Sequence, residues 1–420
     1  MADRQGLSTD AVTSPPVERE RDPFRVSRWS PRVRWRLLPW WAKVVLVYAA
    51  ARAVTTVFVL ALADVQGPNA WTDSRPGYFE YANVWDARWY QIVWFVGYPA
   101  ELPLTETGHV AENAWAFLPV YPAIVGALTW FGAPWDVASV LVSLAAGLGA
   151  ALVFHRLMSR FLAPDRALFA VVLFCVAPVA PIMQFGYAES LGFLWIALAL
   201  LLLVERRYWL LFPVIAVWAF TRPGALAFAL TLVLHWGWRW LHRRQEEFPV
   251  RERVLAASAA VFAGLAGLAW VGIAWAVTGD LQAYTDTELA WRSAYIGYVE
   301  LVPFTAWFQS GDWWLGQPLG TIAVIAIIAA FALVIASPAV RRLGIDIRAW
   351  SVSYGLYLLA VFFPQSSTFR IMAPLFPLLG ALALPRARWY RWLVVIVFLA
   401  LQFGWLMICW AIDGRDWTPP

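Results

Sequence analysis

The sequence predicts an all-α protein that crosses a membrane many times, and three observations carry the prediction. Hydrophobic residues make up 61% of the chain and charged ones 14%, against about 45–50% and about 25% in soluble domains. Apolar runs of membrane-spanning length recur with basic residues between them. The 29 tryptophans fall mostly at the ends of those runs, where indole rings favour the membrane–water interface.

The same composition narrows the chemistry. A net charge of +5 is scattered between apolar runs instead of forming a stripe, so no nucleic-acid partner is expected. Cys175 and Cys409 both lie in apolar runs, which leaves no disulfide framework and no paired metal ligands. Glycine-rich phosphate loops, zinc-binding motifs and nucleophile elbows are missing. Neither cofactor nor metal is therefore expected, and an activated substrate has to arrive through the membrane lipids.

Residues 1–42 read as a basic cytoplasmic tail, disordered over the polar first 24. Six basic and no acidic residues lie between Arg25 and Lys43, which by the positive-inside rule keeps the N-terminus in the cytoplasm. The long run from Lys43 lacks the short core and small-residue site of a cleavable signal peptide. Lys43 to Leu62 is the first crossing. Arg52 sits near its middle, at a cost of about 2.5–3.5 kcal/mol unless it faces protein or water; a structural pairing and a place beside a substrate phosphate account for it equally well.

Residues 64–116 form a large outer segment with seven acidic and two basic residues, and loops this long are usually functional. Within it, Tyr78 to Val96 spaces Trp85, Trp89, Ile92 and Val96 as on one helical face, so an interfacial helix is expected there. Asp86 and Tyr90, four apart, share a face of it. Phe117 to Phe131 is short and interrupted by Pro119 and Pro122, as in a re-entrant or interfacial helix lining a cavity. The crossings that follow alternate by charge: Val137 to Phe154 inward, Ala167 to Met183 outward, Glu189 to Val204 inward, Tyr208 to Thr221 outward and Gly224 to Trp238 inward. Val254 to Val277 leads to a second outer segment, 278–318. Leu319 to Ala336 then returns, Trp350 to Phe363 exits, Ile371 to Leu384 re-enters and Trp392 to Trp410 exits. Residues 43–412 thus form a transmembrane domain with eleven crossings, and 413–420 a short outer tail.

The polar junctions that could hold chemistry fall on the outer side: Asp86, the turn from Gln184 to Ser190, Thr221-Arg222-Pro223, the loop from Asp280 to Arg292, and Gln365 to Arg370. Asp86 lies among aromatics, where partial desolvation makes a carboxylate a better general base, although it could equally cap its helix. Glu189 opens a crossing, a place where acids also serve the helix dipole. Arg222 and Arg370 offer planar forks that match phosphate; snorkelling to the headgroups would explain either one alone. Asp280, Asp286, Glu288 and Arg292 could orient an acceptor, and His109 could shuttle a proton.

Trp85-Asp86-Ala87-Arg88-Trp89-Tyr90 followed by Gly97-Tyr98-Pro99 resembles the PIG-V-like mannosyltransferases. So do, in order, Phe117-Leu118-Pro119-Val120-Tyr121-Pro122, Tyr187-Ala188-Glu189-Ser190-Leu191, Thr221-Arg222-Pro223-Gly224 and Phe376-Pro377. The resemblance spans about residues 40–400 and is to bacterial, actinobacterial members, with Ala188 and Pro223-Gly224 departing from the eukaryotic pattern. It implies a GT-C glycosyltransferase fold with interfacial helices in the first outer loop. It also implies a polyprenyl-phosphate sugar donor, typically mannose, and inversion at the sugar carbon, with Asp86 matching the catalytic acid.

The expected function is transfer of mannose from that donor to an envelope glycolipid or glycan on the outer side of the cell membrane. Asp86 is expected to be the base, and Arg222, Arg370, Glu189, Tyr90, Tyr187, Arg52 and Arg292 to hold substrate. Two alternatives stay open. A lipid or solute transporter would use Arg52 and Glu189 as mid-membrane binding groups, and a non-catalytic scaffold would keep the fold without the activity.

Overall fold

The structure, a computed structural model, describes residues 31–411. Most of the expected N-terminal tail and the expected outer tail at 413–420 lie outside the described residues. The chain divides into one unit that ends at Lys43 and another that begins at Val44; the described part of the first contains the helix Pro31–Leu37. Among the described residues, regular structure is helical apart from one isolated bridge between Leu104 and Val110.

Among the described residues, five helices are long and apolar enough to cross a membrane: Trp40–Val65, Trp135–Met158, Val250–Thr278, Leu319–Ala336 and Arg388–Cys409. Their outer faces expose large apolar side chains such as Val57, Leu265, Ile322, Leu333 and Ile396, an arrangement suited to lipid and a liability in water. The chain is a polytopic membrane protein. The other expected crossings correspond to elements that are shorter or less apolar. Pro164–Val176, Glu189–Val204, Ala225–Leu241 and Gly344–Val361 are regular helices, whereas Leu211–Ala219 follows a 3-10 turn.

Association of apolar helices in lipid depends on close packing, which small residues permit. Val250–Thr278 buries Ala256, Ala259, Ala263 and Ala266 along one stripe, and on the same helix a Cβ at Gly267 would stand 2.9 Å from the Leu226 backbone nitrogen. Tyr48 reaches so close to Trp135–Met158 that a Cβ at Gly147 would lie 2.4 Å from its hydroxyl. That hydroxyl donates to Leu144 O at 3.0 Å.

Three expected helices are broken, and each break serves the interior. The continuous helix expected over Tyr78 to Val96 is two, Tyr78–Tyr81 and Asp86–Phe95. Between them Trp85 has φ 59°, a left-handed conformation that a bulky residue adopts only when its surroundings impose it. Its indole donates to Cys409 O at 2.9 Å. Asn83 clamps the break: its amide donates to Phe79 O at 2.8 Å and Asp136 O at 3.0 Å, and its carbonyl accepts from Ser139 Oγ at 2.7 Å. The break turns Asp86 inward as the first residue of a helix.

The expected crossing from Ala167 to Met183 stops being α-helical at Val176 and resumes as the 3-10 turn Ala180–Gln184. Pro178 and Pro181 lack N–H donors and block the ladder. Arg52 takes up the released carbonyls, donating to Cys175 O at 2.6 Å and Ala180 O at 2.5 Å. Ile371 to Leu384, expected as one crossing, is Thr368–Ile371, the 3-10 turn Ala373–Leu378 and Leu379–Leu382. Pro374 and Pro377 are the cause, and Tyr354 and Trp350 satisfy Ile371 O at 2.7 Å and Pro374 O at 2.9 Å. Irregular backbone at membrane depth survives only where protein supplies such partners.

Asn83→Ala removes three hydrogen bonds that hold the turn before Asp86. It is expected to destabilise the protein by about 1–3 kcal/mol, read as a lower unfolding temperature in detergent.

Candidate functional site

Four ionisable residues far apart in sequence meet inside the protein. Asp86 is carried by the first turn of Asp86–Phe95, and Glu189 by the first turn of Glu189–Val204. Arg222 occupies the turn between Leu211–Ala219 and Ala225–Leu241, and Arg370 the short helix Thr368–Ile371. Arg370 Nη1 pairs with Asp86 Oδ2 and lies 3.3 Å from Glu189 Oε1. Arg222 Nη2 reaches the same Glu189 oxygen at 3.0 Å, and its Nη1 donates to the Tyr90 hydroxyl at 3.3 Å. The Arg370 guanidinium lies 5.5 Å from the centre of the Tyr187 ring.

Asp86, Glu189 and Arg370 are buried, while Arg222 is partly accessible. Burial opposes the charge on both arginines, but Glu189, Tyr90 and Asp86 around Arg222, and Asp86 and Glu189 around Arg370, outweigh it and hold both guanidiniums charged. The group as a whole balances two positive against two negative charges, the condition for keeping them out of water. Satisfaction is incomplete. Glu189 Oε2 and Arg370 Nε are buried with no hydrogen-bond partner, and among the described side chains none bonds Asp86 Oδ1.

A ring of hydroxyls and aromatics fixes the geometry. Tyr90 packs edge-on against Tyr121 with centroids 5.0 Å apart. The Tyr121 hydroxyl donates to Ser139 O at 3.0 Å and shares a 3.1 Å hydrogen bond with Ser143 Oγ. Ser143 in turn donates to Tyr187 O at 3.1 Å. Gly186 is obligatory beside them, since a Cβ there would lie 2.2 Å from Asn83 Oδ1.

Beside Arg370 opens an apolar groove of about 660 Å³, lined among others by Phe174, Met183, Phe193, Phe369, Met372 and Phe376. It continues to Val334 and Leu382, and among the described residues no charged side chain lines it. Phe369 and Met372, which flank Arg370 in the chain, both line it, whereas none of the four charged residues does.

Six of the residues expected to form a site are thereby brought together: Asp86, Glu189, Arg222, Arg370, Tyr90 and Tyr187. Arg52 is not among them, because its guanidinium caps the broken helix at Cys175 and Ala180. Arg292 is also elsewhere, donating to Val299 O at 2.9 Å and Glu300 O at 3.3 Å. His109 stacks on Tyr298 with centroids 4.2 Å apart. Sequence reasoning missed Tyr121 and Glu112. Burial raises the Glu112 carboxyl above its ordinary range and the charge of Asp86 adds to this; as a lone acid in a polar loop it carries no sequence signal.

No family profile matches the sequence, and no curated protein matches it significantly. Among solved structures, the crystal structure of ArnT from Cupriavidus metallidurans bound to undecaprenyl phosphate is similar, with 15% identity and a TM-score of 0.47. The match covers 85% of this chain and 63% of that one, so this chain spans less than two thirds of that protein.

Arg370→Ala leaves Asp86 and Glu189 buried around a single guanidinium. Breaking a buried pair from one side costs about 3–5 kcal/mol, and thermal unfolding is expected to show that loss. The double variant Asp86→Asn with Arg370→Gln, which removes both charges, is expected to recover part of it.

Proposed function

We propose that the protein is a membrane glycosyltransferase of the GT-C type. In this reading it moves mannose from a polyprenyl-phosphate donor to a hydroxyl of an envelope glycolipid or glycan. The observation that carries the proposal is the pair of guanidiniums, Arg222 and Arg370, converging on Glu189, with Arg370 also holding Asp86 and with its chain neighbour Phe369 lining an apolar groove. Such a pair matches a phosphate, and such a groove matches a long hydrocarbon chain. The ordered motifs that resemble PIG-V-like mannosyltransferases run through the same residues.

In the proposed reaction the prenyl chain lies in the groove and the phosphate rests against Arg370 and Arg222. The acceptor hydroxyl gives its proton to Asp86 Oδ1 as its oxygen bonds to the anomeric carbon. The bond from that carbon to the phosphate oxygen breaks, the lipid phosphate departs with the electron pair, and the sugar carbon inverts. The guanidiniums stabilise the charge that develops on the leaving phosphate. Glu189, between them, offsets their mutual repulsion. The distribution of basic residues between the spans supports a cytoplasmic N-terminus and a site on the outer side of the cell membrane.

Transport is less well supported, because Arg52, one of its two expected mid-membrane groups, is engaged by backbone carbonyls.

Membranes containing the protein and supplied with radiolabelled polyprenyl-phospho-mannose are expected to yield a mannosylated product. Asp86→Asn is expected to lower the rate of the folded protein by about 10²–10⁴-fold, the range for loss of a general base, and also to lower the unfolding temperature, because it leaves Arg370 without one of its two buried partners. Absence of any sugar transfer by the native protein would sink the proposal, and full transfer by Asp86→Asn would remove that residue from the mechanism. A bulky side chain in the groove supplies an independent check. Ala373→Trp is expected to raise the KM for long-chain donor while a donor with a shortened prenyl chain is affected less.

A further inference from the structure

The second outer segment carries the helix Ala283–Ala290, which buries Ala283, Thr287 and Ala290. Thr287 is held by Asn113, whose amide donates to its hydroxyl at 2.8 Å. A second face of the same helix has residues at 284, 288 and 291, spaced by one and two turns. Tyr284 packs in the cluster that contains Phe220 and Trp270, and Phe220 stands two residues before Arg222. Trp291 packs against Trp89 at 5.6 Å and Phe117 at 5.8 Å, and Trp89 neighbours Tyr90 on the Asp86 helix. The face therefore stretches from the Arg222 turn to the Asp86 helix, and Glu288 lies between its two anchors.

Glu288 is exposed. Desolvation raises its carboxyl above the ordinary range and the charge of Asp86 adds to this, while the Tyr284 hydroxyl and Arg222 pull the other way. Three residues on, Trp291 Nε1 is a buried donor without a partner. None of the residues that line the apolar groove belongs to this helix or to the elements it packs on, Ala114–Ala116 and Val250–Thr278. The groove and Glu288 thus belong to different elements of the fold.

We propose that Glu288 binds the acceptor, receiving hydrogen bonds from the hydroxyls of a neutral, polyhydroxylated glycan and presenting one of them to Asp86. This rests on the glycosyltransferase reading above. The charges select the class. An anionic acceptor meets Asp86, Glu112 and Glu288, which disfavours a negatively charged ligand on this side. A carboxylate and an indole N–H one turn apart supply an acceptor and a donor for vicinal hydroxyls.

The test uses the full-length protein, radiolabelled polyprenyl-phospho-mannose as donor, and membranes from cells deleted for this gene as the source of the native acceptor. With donor saturating, Glu288→Ala is expected to raise the amount of acceptor membrane needed for half-maximal rate by about 10- to 100-fold, the loss of hydrogen bonds to a charged group. Half-saturation by donor and the unfolding temperature are expected to stay put. The isosteric Glu288→Gln, which keeps one oxygen acceptor, is expected to fall between. An unchanged acceptor requirement in both variants, or an equal rise for donor and acceptor, would overturn the assignment. If the native protein transfers no sugar to these membranes, the glycosyltransferase reading itself fails, an outcome distinct from native transfer that Glu288 does not influence.

Discussion

Two guanidiniums share one carboxylate oxygen at the heart of this protein, and much of the surrounding structure follows from what that sharing demands. Arg222 and Arg370 both approach Glu189 Oε1, while Arg370 also holds Asp86. Like charges this close are tolerable out of water only when opposite charges interleave with them, because each isolated ion costs several kcal/mol to desolvate. The alternation of Arg222, Glu189, Arg370 and Asp86 meets that requirement. It also fixes four chain segments relative to one another. None of the four can move alone without uncovering a charge.

Bringing those charges inward is the work of breaks in the helices. A regular helix through Tyr78 to Val96 would not place an abrupt turn before Asp86. The positive φ at Trp85 and the Asn83 clamp create one. A regular helix through Ile371 to Leu384 would not leave Arg370 at the end of a separate short turn, and Pro374 and Pro377 ensure that it is separate. The two proline breaks strand backbone carbonyls, and a side chain from another helix satisfies them in each: Arg52 in Ala167 to Met183, and Trp350 and Tyr354 in Ile371 to Leu384. Arg52 thus contributes to the site by supporting the architecture around it rather than by reaching substrate.

The proposed reaction divides naturally between the walls of this space. On one side are the guanidiniums and a groove of apolar side chains, a combination that fits a phosphate with a hydrocarbon tail. On another lies the face of Ala283–Ala290, with a carboxylate and an indole donor and no hydrocarbon groove. Displacement at a sugar carbon needs leaving group and nucleophile on opposite faces of that carbon, so separate walls for donor and acceptor are what such chemistry requires.

Much of this was legible in the residues themselves. Composition and the rhythm of apolar runs establish a helical membrane protein, because a helix is the economical way to satisfy every backbone polar group within one segment in lipid. Glu189–Val204 and Leu319–Ala336 have the same limits in sequence and structure. Polar residues at the ends of apolar runs were visible too, and six of the expected site residues do converge. What the chain alone could not decide was which lone charges find one another. Arg52 and Arg222 each look like an isolated arginine in apolar surroundings, yet one caps carbonyls and the other faces a carboxylate. Glu288 resembles any acid in a polar loop until Tyr284 and Trp291 anchor its helix across the cluster. Local pattern encodes whether a residue is apolar or charged and how often, since those depend on the segment and its solvent. The partner of a buried charge depends on contacts between segments distant in the chain, up to 284 residues apart for Arg370 and Asp86, and only the packed structure supplies them.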